Sequence, residues 1–98
     1  MSAIMVNSTQ LRQKATQLEQ YNKQFKQRVD ALSEKARSLG TMWEGEAKKA
    51  FHNEFTKDTQ QFMNFYNGIN QYVQALRDAA DQYEKAEQKS LELAKTRK

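Results

Sequence analysis

The sequence has no cysteine, no proline, three glycines and a single histidine. Without cysteine there can be neither a disulfide framework nor a thiolate metal site, and thiol content says nothing about the redox compartment. Long apolar runs are missing as well. None approaches the roughly 20 residues that a membrane-spanning helix needs, so no stable membrane insertion is expected. Met1 to Gln10 carries no basic residue, and its only apolar cluster, Ile4-Met5-Val6, is far shorter than the apolar region of a cleaved signal peptide. If the chain is exported, the expectation is export without a cleaved leader.

Catalytic patterns are also wanting. His52 has no second histidine and no cysteine to complete a metal site or a catalytic pair, and reads as an ordinary helix-surface residue. Glu44 and Glu46 flank Gly45, where capping and helix-dipole effects account for carboxylates. With no phosphate-binding glycine loop, nucleophile elbow or metal-ligand spacing, no enzymatic activity, cofactor or metal is expected.

What remains is a helix-forming chain. Its 98 residues fit one domain, and a chain of that length buries only about 60–65% of the surface it exposes when unfolded. Hydrophobic residues make up 38% and charged ones 29%, with Gln, Lys, Glu and Ala recurring throughout, a composition that favours long helices over strands. The net charge of +4 is uneven: residues 1–40 hold seven Lys/Arg against three Asp/Glu, and residues 41–98 hold nine of each. The basic residues of the first half (Arg12, Lys14, Lys23, Lys26, Arg28, Lys35, Arg37) are scattered among glutamines. That spread describes a solvated helix face better than the clustered patch of a nucleic-acid binder.

Periodicity supplies the architecture. Ile4, Leu11, Leu18, Phe25, Leu32 and Leu39 recur every seven residues, with Ala15, Asn22, Val29 and Ala36 interleaved four residues later, which is a heptad seam. The second half alternates in the same way through Phe51, Phe55, Asp58, Phe62, Phe65, Ile69, Tyr72, Leu76, Ala79, Tyr83 and Ala86. Between the halves lies Gly40-Thr41-Met42-Trp43-Glu44-Gly45. Gly40 is suited to a left-handed helix end, and Thr41 with Glu44 has the spacing of a capping box for the second helix. Asn7 or Ser8 can cap the first helix, with Gln10 three residues beyond Asn7.

The expected fold is therefore all-α: an antiparallel helix-turn-helix hairpin in one domain. Helix 1 should span about 8–39, a hinge 40–45, helix 2 about 46–90, and a flexible tail 91–98. Folding back around residues 42–43 sets Ser8 level with Arg77 and leaves the end of helix 2 overhanging. Helix 2 is apolar over a wider arc than helix 1 can cover, because Tyr66, Val73 and Ala80 lie beside the main seam. A lone hairpin would be marginal, and two hairpins joined in a four-helix bundle would bury the uncovered edge. The expected core of hairpin and dimer is Leu11, Leu18, Phe25, Leu32, Leu39, Phe55, Phe62, Phe65, Ile69, Tyr72 and Leu76. Asn22 and Asp58 interrupt the seam either as buried polar groups that set register or as points of local exposure.

About a hundred residues, two amphipathic helices, no cysteine and Trp43-Glu44-Gly45 at the hinge together resemble the WXG family, the class of the early secreted antigenic target. Tyr83 and Glu87 form the Tyr-x-x-x-(Asp/Glu) pattern that such proteins or their partners carry near the C-terminus. The resemblance implies a bacterial protein made in the cytoplasm and exported folded by a type VII (ESX-like) secretion system. It also implies pairing with itself or a related WXG protein, and recognition by the secretion ATPase or channel components. Trp43 and Gly45 would be the hinge motif, and Tyr83 and Glu87 the secretion signal, the two forming a composite surface across a dimer. From the residues alone, Trp43 can equally plug the closed end of a bundle, and Tyr83 can be an interface aromatic. The basic Lys95, Arg97 and Lys98 depart from the family pattern. Two other readings remain open: a cytoplasmic helical adaptor or targeting chaperone for a larger type VII toxin, and a basic helical protein that binds nucleic acid.

Overall fold

A computed structural model describes residues 7–96. Ile4, the first member of the apolar stripe, lies outside them, as do Arg97 and Lys98. Two helices, α1 (Ser8–Gly40) and α2 (Gly45–Thr96), form an antiparallel hairpin 82 × 26 × 16 Å in extent. No helix among the described residues is long and apolar enough to cross a membrane. α2 does not end near residue 90 but continues to Thr96; nothing between Ser90 and Thr96 breaks a helix, since the segment contains neither glycine nor proline.

The start of α1 is dictated locally. Asn7 is the N-cap, in extended backbone, and its side-chain oxygen accepts from the Gln10 N–H at 2.8 Å while Gln10 Oε1 accepts from the Asn7 N–H at 3.3 Å. This reciprocal box satisfies two of the amide groups that a helix start leaves open.

At the turn the sequence expectation fails in detail. Gly40 is the last helical residue, and the glycine with positive φ is Gly45, at +68°. Thr41 closes α1 rather than capping α2: its hydroxyl donates to the Ser38 carbonyl at 2.6 Å. Because α2 begins at Gly45, Thr41 stands too far upstream to cap it. The N–H groups of Thr41, Met42 and Trp43 donate to the carbonyls of Ser38, Leu39 and Gly40, tightening the last turn.

The innermost line between the helices consists mostly of small residues. Ser8, Ala15, Asn22, Val29 and Ala36 of α1 and Val73 and Ala80 of α2 are the buried positions. Small side chains let two helix axes approach closely, and this reverses part of the sequence expectation. Val73 and Ala80, assigned to the uncovered edge of α2, face α1, whereas Phe65 and Tyr72 of the main seam remain 57% and 67% exposed. Asn22 is buried and paired: its Nδ2 donates at 2.9 Å to both the Tyr66 carbonyl and Asn70 Oδ1. Asp58 is exposed.

Ion pairs line one side of this seam. Arg77 donates through both terminal nitrogens to the two carboxylate oxygens of Glu19 at 3.2 Å, and Arg12 reaches Asp81 and Glu84 at 2.8 Å each. Arg77 is thus level with Glu19, not with Ser8, and the overhang begins later along α2 than a symmetrical fold-back predicts.

Candidate functional site

Seven-residue spacing carries Leu11, Leu18, Phe25, Leu32 and Leu39 along one flank of α1, beside its buried line. Phe62, Phe65, Ile69, Tyr72 and Leu76 occupy the matching flank of α2. The two flanks meet at Phe25, whose ring stands edge-on to Phe62 at 6.1 Å and to Phe65 at 5.3 Å. Together they make one continuous apolar face. None of the eleven residues expected in the core is fully buried within the hairpin: Leu32, Leu39, Phe65 and Tyr72 are exposed, and Leu11, Leu18, Phe25, Phe55, Phe62, Ile69 and Leu76 are half-buried. Contiguous apolar surface of this kind marks an interaction site on an ordinary protein surface.

Tyr21 extends this face and was not foreseen. It is 69% exposed and sits one turn before Phe25 on the same side of α1. The i, i+4 relation to Phe25 is the signal that could have identified it. The opposite side of the seam carries Glu19, Asn70, Arg77, Arg12 and Asp81. Those partners also escaped sequence reading, since nothing in a heptad pattern pairs Glu19 with a residue 58 positions away.

The turn closes one end of the hairpin. Trp43 packs edge-on to Phe51 with ring centroids 4.7 Å apart, and Phe51 stacks in turn on Phe55 at 5.9 Å. The indole is nonetheless 37% exposed, so it both plugs the end and remains accessible. Gly45 is required by its backbone angle, a region that side chains rarely adopt. A Cβ there would meet nothing within 4 Å, so close approach of a neighbour in this chain is not the reason for the glycine.

At the other end, every residue from 81 to 96 is exposed. Tyr83, between Asp81 and Glu84 where Arg12 of α1 still reaches α2, and Glu87, one turn beyond, shape a shallow concave patch with Ala86, Ser90 and Leu91. Within a single hairpin the hinge and this patch stand at opposite ends of α2. One chain therefore does not bring Trp43 and Tyr83 together.

The electrostatics are confined to the polar side. Hydrogen bonding from Arg77 holds the Glu19 carboxyl below its ordinary value, helped by the charge of Arg77. The same bond raises Arg77, and bonds to Asp81 and Glu84 raise Arg12. No group of three or more His, Cys, Asp or Glu able to hold a metal occurs among the described residues.

The fold is shared with secreted proteins of known structure. The hairpin resembles secreted protein EsxB from Bacillus anthracis str. Sterne with a TM-score of 0.77 at 18% identity, over 89% of this chain and 99% of that one. A point mutant of EsxB gives 0.75 at 17% identity, over 89% and 96%. Comparison with curated proteins gives no match. The sequence itself matches the family model described as proteins of 100 residues with WXG over residues 3–88, and its hinge carries Trp43-Glu44-Gly45 between two helices; the chain belongs to the WXG100 family.

Proposed function

We propose that this protein is a non-enzymatic substrate of a type VII (ESX-like) secretion system, exported folded and without a cleaved signal peptide as a dimer. The observation that carries the reading is the open apolar face. A hairpin in which Phe65 and Tyr72 remain more than half exposed is an incomplete bundle. A second hairpin laid against this face completes a four-helix bundle and removes those rings from water. Self-pairing is the simplest form, because a two-fold dimer presents the same patch twice. A related WXG protein would serve equally in a co-secreted pair.

In such an antiparallel dimer the hinge of one subunit lies near the overhang of the other. Trp43 and Gly45 then join Tyr83 and Glu87 in a composite surface for a secretion ATPase or channel component. The exposed indole and the concave patch at Tyr83 support this role. Trp43→Ala and Tyr83→Ala should each block export in the secreting cell while leaving helicity and dimer mass intact. Normal export of both variants would remove the composite signal from the proposal.

A second reading makes the same face a seat for the helical N-terminal segment of a larger toxin, with this protein as its targeting chaperone. The face accommodates either occupant. Mixing the two purified proteins separates them, because a chaperone gives up its homodimer for a stable heteromer.

A further inference from the structure

A second concave surface lies near the turn, at the end of the apolar face. It occupies the polar side of the seam: Met63, Asn70 and Arg77 follow one another at heptad spacing, and Arg37 lies 18 residues from Glu19, about five turns along the same side of α1. Phe51, Phe55 and Met63 form its apolar floor. Arg37 rims it on α1, and Lys48 and Lys49 rim it on α2. No carboxylate lines the groove, and among the described residues none of these three cations enters an ion pair. The floor also holds the Thr59 hydroxyl, buried and without a hydrogen-bond partner in the hairpin.

We infer that this groove receives an acidic amphipathic helix from a partner protein. Three observations select that occupant. The groove runs parallel to the two helices, and its α2 wall from Lys48 to Met63 is about 22 Å long, the length of roughly four helical turns. Its apolar floor between cationic rims matches a helix with one apolar stripe flanked by Asp and Glu, the helix-in-groove mode of recognition. The unpaired cations supply the complementary charge that steers and orients such a partner. The groove opens beside Met63 and Arg37 on the polar side and reaches Phe51 and Phe55 from behind the apolar flank, so it stays open where a partner hairpin covers Phe25, Phe65 and Tyr72 without reaching the turn. The inference goes beyond the dimer and requires only that the dimer contact leave the turn end of the hairpin open.

The test uses the full-length protein and a fluorescently labelled helical peptide of about four turns, with leucines on one face and glutamates flanking them. Anisotropy should report saturable binding that weakens as salt rises, and the same peptide with lysine for glutamate should not bind. Charge reversal at the rim, Lys48→Glu with Lys49→Glu, should weaken binding at least about tenfold. These side chains are exposed, so circular dichroism and dimer mass should be unchanged. Phe65→Glu, on the other face, should leave peptide affinity as it was even if it breaks the dimer. Absence of binding, equal binding of acidic and basic peptides, or loss of binding in Phe65→Glu but not in the rim variant would overturn the assignment. So would displacement of the bound peptide by phosphatidylglycerol vesicles that bind the rim more tightly, which would make the groove a lipid site.

Discussion

The two sides of the hairpin seam are built from the same helices yet differ in how complete they are. On the polar side, Arg77–Glu19, Arg12–Asp81 and Arg12–Glu84 join the N-terminal half of α1 to the C-terminal half of α2, and Asn22 ties α1 to Tyr66 and Asn70. Each of these groups finds its partner within one chain. On the apolar side, Phe25 meets Phe62 and Phe65, but Leu32, Leu39, Phe65 and Tyr72 still face solvent. Directional polar contacts can be satisfied pairwise, whereas apolar area is removed from water only when another surface covers it. The polar side thus sets register within the hairpin, and the apolar side leaves the surface that the proposed second hairpin would cover.

The most severe test of that contrast strikes the apolar side. Phe65→Glu removes a ring worth roughly 1.5–3 kcal/mol in each subunit when covered and sets a charge where the partner would lie. Light scattering after size exclusion should show the wild type at about twice the 11.5 kDa of one chain and the variant at the monomer mass. An unchanged dimer mass would mean that the partner surface is elsewhere.

Asn22→Ala probes the polar side. Losing a buried amide with two hydrogen bonds should cost about 1–3 kcal/mol in thermal or denaturant unfolding. Dimerisation, if the apolar face governs it, should weaken only in proportion to hairpin stability. A larger effect on dimer mass than on unfolding would break the division between the two sides.

Asn7→Ala lies outside both sides and should cost about 1 kcal/mol through loss of the capping box. Amide hydrogen exchange should speed up at Gln10 and its neighbours while the middle of α1 keeps its protection.

The smallest effect concerns the ion pair on the polar side. The Glu19 carboxyl is held below its ordinary value of 4.5 by Arg77, so its contribution to stability is fully present above that pH. It disappears as pH falls through the depressed folded value. Half-exposed pairs contribute little, so Glu19→Gln should flatten the acid end of the stability curve slightly and leave neutral pH almost untouched. Arg12 and Arg77, shifted upward, add no pH dependence in the ordinary range.

Much of the architecture was readable from residue order. Asn7 with Gln10 marks the start of α1, and the heptads mark two helices with an apolar arc on each. The expected overhang starts further along α2: Arg12 still reaches Asp81 and Glu84, so Tyr83 stands beside the last ion pair rather than on a free stretch. The turn was located, but its chemistry was assigned to the wrong glycine. Gly40 and Gly45 both suit a left-handed angle, and only the path of the chain placed it at Gly45.

What the sequence by itself determined was periodicity: an all-helical hairpin, cysteine-free, with a WXG turn and more apolar surface than one hairpin can hide. Only the tertiary structure decided which line of each apolar arc turns inward. Helices approach most closely where side chains are small, so Ala15, Val29, Val73 and Ala80 took the seam and the large rings were displaced to its flank. The long-range pairs followed from that rotation. Glu19 and Arg77 meet because the axes are close and the register is offset, and neither condition is encoded in the spacing of either helix alone.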